Sequence, residues 1–285
     1  MRISVETLAR RVLLSSTVAS AAVVLSIFAF MLVLGLPLFR GGAFFEVWAG
    51  PWAPHDGLYG IRTMIAGTVW IAVLATVMSL PLSLGTAFVI AGLAGPRLGR
   101  LLKALVRFMT GIPTVVYGFV GIFLLVPFIR EGFGGAGMSV LAAAVVLAIL
   151  ISPTMVLFFT DSLSAVSPAH VQAARALGAN RVQQLMYVMV PGALGGLVSG
   201  LILALGRALG DTLIALMLAG NAVRTPHGLL DPARTLTAHI ALVKAGDFDS
   251  LEFRSMFACG IVLYLLTTAA VVAVRAIERR RIPTP

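Results

Sequence analysis

Long apolar stretches alternate with short polar segments along the 285 residues of the chain. The apolar stretches are centred near Val24, Val77, Phe123, Val146, Leu203 and Val262. A helix needs about 20 apolar residues to cross the hydrocarbon core of a bilayer, and each stretch reaches that length. The pattern therefore predicts an all-α integral membrane protein with six transmembrane helices.

The polar segments divide the chain into predicted regions. These are an N-terminal segment 1–11, a first transmembrane helix 12–38, an outer loop 39–63, a core of five transmembrane helices 64–277 and a C-terminal tail 278–285. Within the core lie a polar loop 161–191, between spans four and five, and an outer loop 221–255. The first span is too long and begins too late for a cleaved signal peptide, so we expect it in the mature protein.

Four polar or interrupted segments carry more local expectations. The glycine, proline and aromatic residues of 39–63 favour an irregular loop, and the basic stretch 95–107 favours a short turn. The stretch 235–245 is predicted to be an amphipathic helix lying at the membrane surface. Gly111 and Pro113 interrupt the pattern before span three. They fit either a junction of loop and helix with proline in the first turn or a break that lines a water-filled cavity.

Composition and charge support a membrane protein and assign its sides. Charged residues make up 11% of the chain, against about 25% in soluble proteins, and the mean hydropathy is +1.03. With six spans and the N-terminus inside, thirteen basic and three acidic residues are cytoplasmic, whereas seven of each are outside. The whole net charge of +10 is therefore cytoplasmic, as the positive-inside rule expects. We expect a multi-pass membrane protein in contact with lipid, with both termini in the cytoplasm and no nucleic-acid partner.

The cytoplasmic loop 161–191 has an ordered internal pattern. Ser167 and Pro168 resemble a helix start, with serine as cap and proline at the first helical position. The predicted helix runs to about Leu177 and stops at Gly178, because glycine tolerates the left-handed cap conformation. A helix, a glycine turn and a second helix form a compact projection that can seat in a groove of a soluble partner.

The fifth apolar stretch contains two charges that no choice of boundaries moves into water, Arg207 and Asp211. A lone charge at the centre of a membrane helix costs about 2.5 to 3.5 kcal/mol. Because they are four residues apart, we expect the two side chains to share one helix face. A site on an anion pathway, a structural clamp and a gate remain open as explanations of the pair.

Small residues accompany these charges. Gly196, Gly200 and Ala204 fall with them in a sector of roughly 80° of a continuous helix, and small residues let neighbouring helices approach closely. The helix-packing candidates are Gly196, Gly200, Gly206 and Gly210.

The loop resembles the coupling loop of ABC importer permeases, whose motif is E-A-A, three residues, Gly, nine residues, I-x-L-P. The motif falls on Gln172, Ala173, Ala174, Gly178 and Pro191, with glutamine in place of the acid. The resemblance implies a type I ABC importer permease fold (MetI-like), with a cytoplasmic coupling helix between spans four and five that contacts an ATPase. It also implies a location in the bacterial cytoplasmic membrane.

A narrower resemblance links the chain to phosphate-specific ABC transporter permeases, PstC-type more than PstA-type. The stretch LGRALGDTLIALMLAGN is similar to their fifth-span pattern L-G-R-A-x-G-E-T followed by Gly-Asn, with Asp211 in place of glutamate. GIPTVVYGFVGIF and LLDPARTLTAHIA resemble two further family segments. The resemblance implies that Arg207, Asp211 and Thr212 line a phosphate pathway.

The resemblance also implies the partners: a second and different permease chain, two ATP-binding subunits and an extracytoplasmic phosphate-binding protein. The chain has no G-x-x-x-x-G-K-[ST] loop, so ATP and Mg would be used by the ATPase and no cofactor by this chain. Its four scattered histidines and single cysteine show no metal-ligand spacing. We expect a non-catalytic subunit. The alternatives are a permease for sulfate or molybdate, or a secondary transporter that works without ATP.

Overall fold

The computed structural model describes residues 5–39, 44–243 and 250–281, which are almost entirely helical. Its α-helices are α1 (Val5–Gly35), α2 (Phe44–Ala49), α3 (Arg62–Phe88), α4 (Pro96–Thr110), α5 (Thr114–Val120), α6 (Val126–Phe133), α7 (Val140–Ser164), α8 (Pro168–Ala176), α9 (Arg181–Gln184), α10 (Val190–Gly210), α11 (Leu213–Leu218), α12 (Leu236–Leu242) and α13 (Leu251–Arg281). Two short strands, β1 (Trp52–Ala53) and β2 (Leu58–Tyr59), pair antiparallel.

Six helical segments of the described chain are long and apolar enough to cross a membrane, which confirms the predicted number of spans. They are Thr7–Gly35, Arg62–Leu93, Thr114–Phe133, Val140–Ser164, Arg181–Gly210 and Leu251–Ala276. Outside α7, 28% or less of the most apolar window of each span is buried inside the single chain, against 72% in α7. That distribution suits helices that face lipid or another subunit on one side.

Helix α7 is the centre of the bundle because it is apolar on all sides. It packs mainly against α3 and α10, and Ile151, Met155 and Phe159 are almost completely buried there. The first helix, α1, lies at the edge and contacts α13, where Phe28 and Tyr264 place their ring centres 4.7 Å apart. The fold therefore consists of a core around α7 with α1 added at its periphery.

Three wide π-helical turns lengthen the spans, at Val89–Leu93, Gly121–Leu125 and Leu185–Met189. Two of them end two residues before a proline, Pro127 and Pro191. A proline lacks the amide hydrogen and clashes with the carbonyl four residues earlier. A π turn widens the helix at that point, so the chain continues into the next helix without breaking.

Three local expectations are wrong. The described part of the outer loop 39–63 contains α2 and a β-hairpin closed by Gly57 in the left-handed conformation, because Trp52 and Tyr59 pack edge to face across it. The basic stretch 95–107 belongs to α4, a helix of 15 residues, since its leucines recur with helical spacing. Helix α12 is buried on four of its seven residues rather than lying on a surface. The last two residues predicted for it, 244 and 245, lie outside the described chain.

Candidate functional site

The fifth span ends at Gly210, before a break at Asp211, rather than continuing as predicted. Helix α10 stops at Gly210, Asp211 is extended (φ −73°, ψ 123°), and α11 starts at Leu213. The amide of Ile214 donates to Oδ1 of Asp211 at 2.8 Å, and the hydroxyl of Thr237 on α12 donates to the Asp211 carbonyl at 3.0 Å. These bonds satisfy groups that a broken helix leaves free, which is the condition for a break inside a membrane.

The expectation that Arg207 and Asp211 share one helix face is therefore wrong, because the helix ends between them. The two groups remain within electrostatic range of each other. Nevertheless, the only ion pair within 4.0 Å among the described residues joins Lys103 and Asp161. Thr212 is half-buried in the break, and its carbonyl accepts from the amide of Leu216 at 2.9 Å.

Arg207 presents an exposed guanidinium beside the break. Its Nη1 donates to the hydroxyl of Thr154 on α7 at 3.3 Å, and the Tyr117 hydroxyl of α5 lies within electrostatic range. A guanidinium carries five donors in a planar fork, and Thr154 takes one of them. The remaining donors can bind an oxyanion that reaches this face of the bundle.

Thr154 and Thr237 are site residues that sequence reasoning missed. They come from α7 and α12, which are 53 and 26 residues away from their partners. No local spacing relates them to Arg207 or Asp211. The only available signal was a polar residue next to Pro153 within an otherwise apolar span.

The four candidate packing glycines fall into two pairs. A Cβ on Gly196 would overlap the side chain of Ser162, and a Cβ on Gly200 would lie 2.9 Å from a ring carbon of Phe159. Both contacts are with α7. Gly206 and Gly210 have no atom within 4 Å of that position, so within this chain only the first pair lies against a neighbouring helix.

The coupling loop forms two helices joined at a glycine, as predicted. Helix α8 covers Pro168–Ala176, and Gly178 follows with φ +87°. The amide of Ala179 donates to the Ala174 carbonyl at 3.0 Å, which closes the helix end. Ser167 occupies the cap position, but its hydroxyl makes no capping hydrogen bond.

The second helix of the loop begins with a capping box that sequence reasoning missed, although its N-x-x-Q spacing was visible. The amide of Gln183 donates to Asn180 Oδ1 at 2.9 Å, and the amide of Asn180 donates to Gln183 Oε1 at 2.8 Å. Two otherwise free amides are thereby satisfied, which fixes the direction in which α9 leaves the turn.

The loop presents a projecting apolar surface. Leu177 is 89% exposed and Tyr187 is 78% exposed. Between them lies a depression of about 330 Å³, lined partly by Ala174 and Gly178. Gln172 and Ala173 are exposed on α8, and Pro191 is exposed at the start of α10. Exposed apolar side chains held on a rigid turn are typical of a docking surface.

The outer loop packs over the break and is held by its own polar contacts. Arg234 Nε donates to the carbonyl of Asn221 at 3.0 Å, and burial lowers the pKa of Arg234. The amides of His227 and Gly228 donate to Asp231 and hold the pKa of that exposed carboxyl below its usual range. Burial, with a smaller contribution from Arg234, lowers the pKa of His239 to about 4. The bond between Arg234 and Asn221 joins the segment that precedes α12 to the segment that follows α11.

No group of three or more His, Cys, Asp or Glu side chains in the described ranges is placed to hold a metal ion. Cys259 is buried in α13 as a free thiol.

Sequence comparisons relate most of the chain to transport proteins. A family model described as "Binding-protein-dependent transport system inner membrane component" matches residues 83–283. The "Probable ABC transporter permease protein YqgH" of Bacillus subtilis is 32% identical over 235 residues, covering 81% of this chain and 76% of the relative. The "Phosphate transport system permease protein PstC" of Xylella fastidiosa (strain 9a5c) is 30% identical over 259 residues, covering 83% and 78%.

Solved structures match the fold. A chain of a bacterial alginate ABC transporter, solved in complex with an alginate pentasaccharide-bound periplasmic protein, has a TM-score of 0.66 at 14% identity and covers 99% of both chains. A chain of the MetNI methionine ABC transporter in an inward-facing conformation has a TM-score of 0.60 at 21% identity, covering 75% of this chain and 92% of the other.

Proposed function

Because the chain belongs to the family of binding-protein-dependent transport system inner membrane components, we propose that it is a permease subunit of an ATP-driven importer of inorganic phosphate. Its six-span fold is that of the MetI-type ABC importer permeases. The single observation that supports an oxyanion as the cargo is the exposed guanidinium of Arg207 beside the break at Asp211 and Thr212.

The chemistry of this site suits a tetrahedral oxyanion. Arg207 keeps donors free after its bond to Thr154, and a guanidinium binds two oxygens of one phosphate at once. The carboxylate of Asp211 reduces the positive electrostatic potential around Arg207. Its bond to the Ile214 amide also caps the start of α11 and so stabilises the break. The PstC relatives are named for phosphate transport, which favours phosphate over sulfate or molybdate at the same fork.

The exposed face of the third span supports a second permease subunit. Val116, Phe119 and Phe123 are all exposed on the single chain, and α5 contacts α11 next to the break. A different but similar chain packed there would enclose Arg207 in a central pathway. The extracytoplasmic phosphate-binding protein would dock outside, over the loop that carries α12.

The coupling loop is the proposed contact for one ATP-binding subunit. The matching loop of the second permease would contact the other ATP-binding subunit. The positive-inside charge distribution supports a cytoplasmic position for this loop and both termini. Leu177 would insert into a groove of the ATPase, and the depression beside it would accommodate a side chain of the ATPase. ATP and Mg are used there, so this chain performs no bond chemistry and instead changes which side of the membrane its pathway faces.

Uptake of labelled phosphate into vesicles by the assembled complex tests the cargo. Arg207→Gln should lower uptake about tenfold or more, because a charged hydrogen bond to the anion is worth about 1.5 to 3 kcal/mol. The control is Arg130→Gln, which removes an exposed charge from the other end of the third span. Normal phosphate uptake by Arg207→Gln would exclude the pathway role, and uptake of sulfate instead of phosphate would assign the other oxyanion.

Co-purification with the ATPase tests the coupling loop separately. Leu177→Asp places a charge on the most exposed apolar side chain of the loop and should abolish the complex while leaving the permease folded. Leu58→Asp, in the outer hairpin, is a matched control because Leu58 is also exposed. A complex that survives Leu177→Asp with normal ATP hydrolysis would contradict the assignment of the loop.

A further inference from the structure

Helix α4 carries its basic and its apolar residues on two adjoining sides. Four basic residues recur every three or four positions and share a sector of about 120° around the helix axis. They are Arg97, Arg100, Lys103 and Arg107. Four large apolar residues share the next sector, of about 80°. They are Leu98, Leu101, Leu105 and Phe108. No acidic residue occurs in α4, so the helix is strongly amphipathic and basic.

The apolar sector is not covered by any other part of the described chain. The exposed fraction of its side chains rises from 49% at Leu98 to 73% at Phe108. A different side of α4 packs against the bundle, because Gly99 and Val106 are buried. A Cβ on Gly99 would lie 3.2 Å from the carbonyl oxygen of Ile90. A contiguous row of exposed leucines and phenylalanine on a basic helix needs an occupant other than water.

The chain connections of α4 hold this surface at the boundary of the membrane. The helix begins three residues after the second span, which ends at Leu93, and stops four residues before the third span, which begins at Thr114. The 20 residues of the third span already cover about 30 Å, the thickness of the hydrocarbon core. Helix α4 is therefore not needed to cross the core. Lys103 Nζ lies 2.7 Å from the carboxylate of Asp161, at the end of α7 that leads into the coupling loop.

The basic sector keeps most of its charge. Asp161 offsets the charge of Lys103. Arg100 donates from its Nε to the Pro96 carbonyl at 3.2 Å, which leaves its two terminal nitrogens available. Arg97 and Arg107 are exposed, and neither forms an ion pair with a carboxylate of the described ranges. Three arginines therefore present uncompensated positive charge beside the apolar sector.

We propose that α4 binds anionic lipid headgroups on the coupling-loop side of the membrane. The apolar sector would lie among the upper parts of the acyl chains, and the arginines would contact the phosphates. A helix with arginine and lysine on one side and leucine and phenylalanine on the other lies in the plane of the interface, and an anionic leaflet attracts each basic residue.

One anionic lipid surface accommodates both sectors at once. A protein partner would have to supply an acidic surface directly beside an apolar one, at the same depth. The lipid surface is also the one that the connections to spans two and three already place next to α4. This proposal does not depend on the cargo of the importer.

The lipid contact of α4 would bear on the coupling loop. Besides the pair of Lys103 and Asp161, Nη1 of Arg181 on α9 donates at 3.3 Å to the carbonyl of Leu93, in the turn that precedes α4. A helix held in the interface would therefore fix the depth of the base of the coupling loop.

Spin-label accessibility tests which surface covers the apolar sector. The full chain, purified with its bound subunits, is placed in nanodiscs of phosphatidylglycerol and phosphatidylcholine. Leu105→Cys places a nitroxide label in the apolar sector, and Ala104→Cys places it in the basic sector as a matched control, since Ala104 is also exposed. Labelling of the unmodified chain gives the background, because Cys259 is buried. We expect oxygen to reach the label at position 105, and a water-soluble nickel chelate to reach the label at position 104.

Native mass spectrometry of the same complex tests the charge of the headgroup. It measures how much phosphatidylglycerol is retained in competition with phosphatidylcholine. Arg100→Gln should lower this selectivity about fivefold, the effect of one basic residue at an anionic surface. Arg100→Lys keeps the charge and should keep the selectivity. The control Arg175→Gln removes an exposed charge from α8 of the coupling loop and should leave the selectivity unchanged.

Three results would overturn the proposal. A label at position 105 that is reached by the nickel chelate rather than by oxygen would place the apolar sector in water. A label there that neither reagent reaches would show that a protein subunit covers α4. Unchanged selectivity in Arg100→Gln, or an equal loss in Arg175→Gln, would exclude anionic headgroups as the partner of the basic sector. The accessibility measurement uses the native arginines, so it stands even if Arg100→Gln fails to fold.

Discussion

The contact of α10 with α7 can be tested with two alanine substitutions of the same helix. Gly200 and Gly206 both lie inside α10, but a Cβ on Gly200 would approach the ring of Phe159 to 2.9 Å and the Cβ of Phe158 to 3.1 Å. A Cβ on Gly206 would meet nothing within 4 Å. Phe159 is 1% exposed, so its ring has no free space into which it can move.

The expected magnitudes follow from two contributions. Replacing glycine by alanine inside a helix gains about 1 kcal/mol from backbone propensity, and this gain is common to both positions. Overpacking against a rigid neighbour costs about 1 to 3 kcal/mol and applies to Gly200 alone. The difference between Gly200→Ala and Gly206→Ala is therefore expected to be about 1 to 3 kcal/mol, with Gly206→Ala the more stable.

Apparent melting temperatures of the purified single chain, measured in one detergent at one scan rate, provide the assay. One kcal/mol corresponds to about 2 to 4 °C in a chain of this size class, so Gly200→Ala should melt at least about 2 °C below Gly206→Ala. Equal melting temperatures, or a higher value for Gly200→Ala, would refute the close packing of α10 on α7.

Three further predictions concern other contacts. The free energy of unfolding should fall by about 3 kcal/mol as the pH drops from about 6.5 to about 4. In this range the imidazole of His239 is protonated in the unfolded chain but stays neutral in the folded chain, because its folded-state pKa is about 4. His239→Gln should flatten this pH dependence in a series of melting curves. Thr237→Val should destabilise the chain by about 1 to 2 kcal/mol, because the partly buried Asp211 carbonyl loses its donor. Thr237→Ser should restore most of the loss in the same melting assay. Asp161→Asn should change the free energy of unfolding by less than about 1 kcal/mol, since the side chain of Asp161 is 66% exposed and its pair with Lys103 is screened by solvent. A larger loss at high salt would contradict that view.

The positions of the spans could be predicted from the sequence because the bilayer imposes a length and a composition on each of them. The coupling loop could also be predicted, since Pro168 starts a helix and Gly178 ends it through local backbone preferences. Both inferences need only neighbouring residues. The structure places α8 and Gly178 within a residue of the expected positions.

The break at Asp211 could not be predicted in the same way. LGRALGDTLIAL has no proline and reads as one continuous helix. The extended backbone of Asp211 is stabilised by the local bond from the Ile214 amide and also by the bond from Thr237, which is 26 residues away and which no local pattern reveals. Helix α4 was missed for a related reason, because four basic residues suggested a turn while the leucines between them had helical spacing.

Helix α10 connects the coupling loop to the break at Asp211. Helix α10 begins at Val190, next to the coupling-loop proline Pro191, and ends at Gly210, three residues beyond Arg207. Its 21 residues span about 30 Å without a break, and Gly196 and Gly200 hold its first half closely against α7. A displacement of the loop would therefore reach Arg207 as motion of a stiff element, whereas the extended backbone of Asp211 and Thr212 allows α11 and the outer loop to stay in place. If the proposed function holds, the break would separate the part of span five that follows the ATPase from the part that closes the outer side.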